Sequence, residues 1–136
     1  RLPPGVARAG RVIVLGGRIQ ARTGAALGIA PLKQVEGMRF DQCFLGACAL
    51  DAREGLTVFD YEEAEFKRAL ARQSGEVIVA MTADKIPSIA RYTVMPCADI
   101  SLLVVEHDMA KDRLAPFVER GMDVRFSALA QDPAIS

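Results

Sequence analysis

Strand-sized apolar runs that empty into small residues, with helix-spaced stretches between them, restrict this chain's fold more than any other feature of its sequence. The β-branched run from Val12 to Leu15 stops at the pair Gly16 and Gly17, which predicts a buried strand leading into a loop. Helical spacing follows around Leu32 to Met38. A second strand is predicted from Phe40 to Leu45, ending in Gly46, Ala47, Cys48 and Ala49, where small side chains let backbone approach backbone or a ligand. Asp60 followed three positions later by Glu63 is a helix-start signature, so a helix is predicted from Tyr61 to Gln73, with Gly75 stopping it. Further strands are predicted at Glu76 to Met81, Tyr92 to Met95, Ile100 to Val105 and Met122 to Phe126. A last helix ends at Gly121, with Pro116 marking either its first turn or a kink. Strands alternating with helices predict an α/β layered fold, a mainly parallel sheet flanked by helices.

Length and charge narrow the function. A chain of 136 residues that is 51% hydrophobic can bury roughly two-thirds of the surface exposed by its unfolded form, so a single domain over residues 1–136 is expected. Seventeen basic and 17 acidic residues balance to zero formal charge, and no window has the Lys/Arg density that neutralising a phosphate backbone requires. Direct nucleic-acid binding by this chain is not expected. Cys43, Cys48 and Cys97 are odd in number and lack close pairing, and His107 is the single histidine. The expectation is three free thiols in a reducing cytoplasm, no metal and no cofactor. The longest apolar runs fall far short of the ~20 residues a membrane-spanning helix needs. The opening at Arg1 without an initiator Met predicts a piece of a longer protein, and the stretch from Gln131 to Ser136 reads as a frayed tail.

In open α/β sheets, ligands gather at the carboxyl ends of the strands, where loops and helix N-termini converge. That rule selects Gly16 and Gly17, Gly46 to Cys48, the stretch from Gly55 to Glu63, and Thr82 to Lys85. An anionic ligand wants backbone N–H groups from a glycine-containing turn, a helix N-terminus and one or two cations, for which Arg22, Lys67 and Lys85 are available. Each feature also has a plainer reading. The glycine pair can be a simple turn, Glu63 can cap its helix and pair with Lys67, Lys85 can be solvated, and Cys48 can be a small packing residue.

The order of these landmarks resembles the carboxy-terminal domain of the DeoR family of sugar-catabolism regulators, from about Val12 to about Phe126. Phe40 and Asp41, then Phe44-Leu45-Gly46-Ala47, then Gly55-Leu56-Thr57, Asp60, Glu63-Ala64 and Lys67-Arg68 carry the resemblance most specifically. The Gly16–Gly17 pair with Arg22, Thr23, Gly24 and Gly28, together with Lys85 and the closing stretch from Gly121 to Phe126, adds to it. The resemblance implies a fold like that of ribose-5-phosphate isomerase and a pocket for a small phosphorylated sugar. Gly46, Ala47, Cys48, Asp51, Thr57, Asp60, Glu63, Lys67 and Lys85 would line or support that pocket, beside Gly16, Gly17 and Arg22. It also implies a regulator, expected to be a repressor, that assembles as a dimer or tetramer and touches DNA only through an amino-terminal helix-turn-helix domain that this sequence does not contain. The family's early Thr-Asn-Ser-like phosphate-binding segment is likewise missing.

Two departures bear on chemistry. Where the family pattern reads Gly-Ala-Asp-Gly, this chain has Gly46-Ala47-Cys48-Ala49, and where an Asp is usual three residues before the lysine, Thr82 stands before Lys85. Cys and Thr accept hydrogen bonds from sugar hydroxyls more weakly than a carboxylate does. This implies an unusual effector or weakened binding. The same losses argue against aldose–ketose isomerisation, which needs a base and groups that stabilise an enediolate; Glu63 alone is left as a candidate base. A non-catalytic sensor is therefore the expected function, with a sugar-phosphate isomerase on the same fold, or an oligomerisation domain blind to ligand, as the competing readings.

Overall fold

A computed structural model describes residues 18–19, 26–27, 29–46 and 48–128. The strand expected at Val12 to Leu15, the site candidates Gly16, Gly17, Arg22 and Ala47, and the tail from Gln131 lie outside the described residues. Two short strands, β1 (Arg18–Ile19) and β2 (Ala26–Leu27), pair antiparallel and lead to helix α1 (Ile29–Glu36). Pro31 is tolerated there because the first turn of a helix has no use for its missing N–H.

The main sheet is wholly parallel. It is built from β3 (Phe40–Leu45), β6 (Ser74–Met81), β8 (Leu102–Val105) and β9 (Val124–Phe126), in that spatial order. Register runs Leu45 against Val79, Met81 against Val105 and Val105 against Phe126, so the carboxyl ends of neighbouring strands finish side by side. The central strand β6 buries Val77, Ile78 and Val79 consecutively. A parallel strand covered on both faces reads this way, as an apolar run without alternation. β3, at the sheet edge among the described residues, alternates instead and leaves Phe44 exposed.

A second sheet departs from the sequence expectation. β4 (Ala49–Asp51), β5 (Gly55–Val58) and β7 (Tyr92–Met95) form an antiparallel unit in the order β4-β5-β7. The run from Tyr92 to Met95 is the strand expected, but it pairs with β5 and is no part of the parallel sheet. Gly55, at φ +81°, opens β5 where a Cβ would stand 2.4 Å from the Met95 carbonyl oxygen, so the close strand contact admits only glycine there.

Helix α2 (Tyr61–Arg72) begins as its sequence predicts, with Asp60 Oδ1 accepting a 3.1 Å hydrogen bond from the Glu63 N–H. Helix α3 (Lys111–Glu119) buries Leu114 and Phe117, and Pro116 lies inside it, beyond the first turn. The buried side chains of both sheets and of α2 and α3 join one core cluster, which includes Leu50, Leu56, Val79, Leu103, Val105 and Phe117. No helix among the described residues is long and apolar enough to cross a membrane.

Candidate functional site

The carboxyl end of β3 runs into Gly46, and there the first cluster forms. Lys67, on the second turn of α2, reaches back with all three of its ammonium donors. It donates to the Gly46 carbonyl oxygen at 2.6 Å, to Glu63 Oε1 at 2.7 Å and to Cys48 Sγ at 3.3 Å. The Cys48 thiol in turn donates to the Gly46 carbonyl at 3.1 Å. Glu63 is buried and the Lys67 side chain is only 13% exposed, so this is an ion pair largely removed from water. The i, i+4 spacing of Glu63 and Lys67 puts them on one helix face, and a lysine stem is long enough to cross from that face to the strand end.

Burial, the largest influence, pushes the Cys48 thiol above the ordinary cysteine range, although the Lys67 charge and hydrogen bond pull it down. A neutral thiol that is already hydrogen-bonded is a packing and bridging group, and a poor nucleophile. At this position, where the resemblance implies a carboxylate, an S–H bridges the strand end to the helix lysine.

The second cluster follows β6, the neighbouring strand. A short 3-10 turn, Ala83–Lys85, carries Lys85, whose half-exposed ammonium stands 4.0 Å from Asp84. The Thr82 hydroxyl donates to Asp84 Oδ1, and this bond more than the nearby Lys85 charge holds the Asp84 carboxyl below its usual range. Two residues not singled out from the sequence fix the turn. Glu106, directly after β8, accepts from the Ala83 N–H at 2.7 Å, and Arg113 of α3 donates to the Ala83 carbonyl at 2.8 Å. Glu106 obeys the same strand-end rule that picks out Thr82. Arg113 has no such local signal, since its partner is a backbone atom 30 positions away. A cavity of about 210 Å³ opens beside this turn at the ends of β6, β8 and β9, lined by Met81, Thr82, Val105, Glu106 and Ser127 among others.

The remaining candidates separate by role. Buried Thr57 accepts a 2.7 Å bond from the Ala90 N–H and so ties β5 to the segment following β6. Asp60 is the cap of α2. Asp51 lies at the far end of β4 from Cys48, and its carboxylate accepts from the Arg53 and Glu54 N–H groups, both at 2.9 Å, closing the β4–β5 turn. All three cysteines are free, and no group of His, Cys, Asp and Glu among the described residues could hold a metal ion.

With that geometry in hand, the similarities to known proteins are specific. A family model described as the DeoR C terminal sensor domain matches residues 7–107, a span that includes β3 through β8 and both clusters apart from Arg113 and Ser127. The chain is 27% identical over 116 residues to the HTH-type transcriptional regulator GolR of Listeria innocua, an alignment covering 85% of this chain and 46% of that protein. It is 33% identical over 75 residues to the glycerol-3-phosphate regulon repressor of Escherichia coli, covering 55% of this chain and 30% of that protein. Against the HTH-type transcriptional regulator GlpR of Haloferax volcanii it is 26% identical over 113 residues, covering 83% of this chain and 44% of the relative. The chain thus spans less than half the length of these relatives.

Proposed function

This chain belongs to the DeoR C terminal sensor domain family, and on that premise we propose that it is a non-catalytic effector-binding domain that takes a small phosphorylated sugar, or a close relative of one, at the carboxyl ends of its parallel strands. The observation that carries the reading is that the Gly46 loop, to which Lys67 of α2 reaches, and the Thr82–Lys85 turn follow the adjacent strands β3 and β6 at the same end of the parallel sheet. The partly free Lys85 ammonium favours an oxyanion, while Asp84 and Glu106 supply acceptors for hydroxyl groups. Lys67 is spoken for in this structure. Its role is to hold Glu63 and the strand end in place, leaving Lys85, of the two candidate lysines, as the one available to a phosphoryl group.

The pairing of Glu63 with Lys67 also supports a sensor over an isomerase. A general base must be free to take a proton from substrate, and this carboxylate is engaged by an ammonium at 2.7 Å. The proposed setting is a cytoplasmic repressor in which residues 1–136 form the sensing unit, subunits pair as a dimer or tetramer, and DNA is read by a helix-turn-helix outside this sequence. The names and greater length of the relatives support the repressor role and the helix-turn-helix outside this sequence.

Thermal unfolding against a panel of sugar phosphates, with free sugars and inorganic phosphate as controls, tests the reading. Ligand at about a hundred times its dissociation constant stabilises the fold by roughly 2.7 kcal/mol, a shift of several degrees. A selective shift that disappears in Lys85→Ala is expected. Turnover of a pentose phosphate, or a shift unaffected by Lys85→Ala, would overturn it.

A further inference from the structure

At the opposite end of the parallel sheet, three loops from distant parts of the chain enclose a cavity of about 610 Å³. The β4–β5 turn contributes Ala52 and Arg53, the link from β7 to β8 contributes Pro96, Cys97 and Ile100, and the turn after α3 contributes Arg120 and Met122. That volume lies within the range of small-molecule sites, and the lining mixes an apolar floor with two guanidinium groups. Neither guanidinium has an ion pair or hydrogen-bond partner among the described residues. One carboxylate, Asp123, also lines the cavity and is solvent-exposed, 3.7 Å from Arg125, so the two guanidinium groups leave a net positive lining; Asp51, outside the lining, closes its turn on backbone N–H groups.

The walls are also held in place. Asp51 fixes the turn that presents Arg53, the Cys97 thiol donates to the Asp51 carbonyl oxygen at 3.4 Å, and Gly55 locks the same turn against the Met95 and Pro96 backbone. On the far wall, Gly121 at φ +83° ends α3, with its N–H bonded to the Val118 carbonyl at 2.9 Å and the Met122 N–H to that of Phe117 at 3.2 Å. Two exposed arginines without a partner among the described residues, carried on braced turns and lining one partly apolar cavity, are a recognition arrangement for an oxyanion attached to a small organic body, since guanidinium forks match carboxylate and phosphate geometry.

We propose that this cavity is a second ligand site, distinct from the one at the carboxyl ends of the strands, that binds a small organic anion through Arg53 and Arg120. Cys97 in its wall reports occupancy directly, because it is part-exposed whereas Cys43 and Cys48 are buried. The experiment follows the rate of Cys97 alkylation by iodoacetamide, located by mass spectrometry, with phenyl phosphate, inorganic phosphate and succinate as probes. At ten times a millimolar dissociation constant, a bound probe slows the reaction about tenfold. Protection by phenyl phosphate alone assigns a phosphate monoester, and protection by succinate a carboxylate. Either is expected to be lost in Arg53→Gln and Arg120→Gln and retained in Lys85→Ala, which separates this site from the proposed effector site. Absence of protection by every probe at about 10 mM, or protection that survives both arginine substitutions, overturns the proposal.

Discussion

Lys67 is the residue on which the strand end and the helix depend together. Its ammonium meets a carbonyl, a carboxylate and a thiol, and the carboxylate it neutralises is buried. Removing one member of a buried ion pair leaves the other charge uncompensated, at a cost of about 3–5 kcal/mol. Lys67→Met is therefore expected to lower the urea midpoint strongly, and the double variant Glu63→Gln/Lys67→Met to recover much of the loss. Equal damage in both would show that packing and not charge is at stake. At the 3-10 turn the relevant group is exposed, so its signature is a titration. The Thr82 hydroxyl bond first, and the Lys85 charge last, hold Asp84 below the ordinary carboxylate value. A depressed folded-state pKa means that the ionised carboxylate supports the turn above its unfolded-state pKa, and that this support is lost as pH falls through the folded-state value. Thr82→Val is expected to move the Asp84 titration, followed by carboxyl NMR, upward toward the ordinary range; an unmoved curve would remove the hydroxyl from the account.

At the scale of elements, what could be read from the sequence is what local chemistry determines. The Asp60 and Glu63 signature locates the start of α2 because a cap is made by neighbours in the chain, and Val77, Ile78 and Val79 mark β6 because a strand covered on both faces is apolar at successive positions. β4 and β5 escaped because they are short and, in β5, buried at every position, so no alternation betrays them. Their pairing with β7 is a long-range fact. The candidate site divides the same way. Gly46, Cys48, Glu63 and Lys67 come together as strand-end and helix-face rules suggest, whereas Asp51 caps a turn that the sequence does not announce, and Arg113 acts on a distant backbone carbonyl. The two left-handed glycines give a comparison between turns. Gly121 has open space at its Cβ position, so Gly121→Ala is expected to cost only the conformational penalty of about 1–2 kcal/mol. Gly55→Ala adds a collision with the Met95 carbonyl and is expected to cost clearly more, read as the difference in urea midpoints.

For the whole molecule, the question is whether two sheets of different construction behave as one body. The parallel sheet and the small antiparallel sheet share no strand, yet Leu50, Leu56, Val58, Val94 and Met95 of the small sheet lie in the same buried cluster as Val77, Val79, Leu103 and Val105 of the large one. Helix α2 follows β5 directly and precedes β6, so it ties the two sheets together in sequence as well as in the core, where its Ala64 lies. A shared core of this kind makes separate melting unfavourable, because losing either sheet would expose the apolar face of the other. Leu56→Ala and Leu103→Ala, both fully buried, each remove about 2–5 kcal/mol of packing. Both are expected to shift one and the same transition, with far-ultraviolet circular dichroism and Tyr61/Tyr92 fluorescence moving together, even though the tyrosines sit beside the small sheet. If Leu56→Ala instead splits the curve, with the tyrosine signal lost first, the small sheet is an independent unit. Events at the β4–β5 turn would then be insulated from the strand ends of the parallel sheet, and ligand at one end of the domain could not be felt at the other.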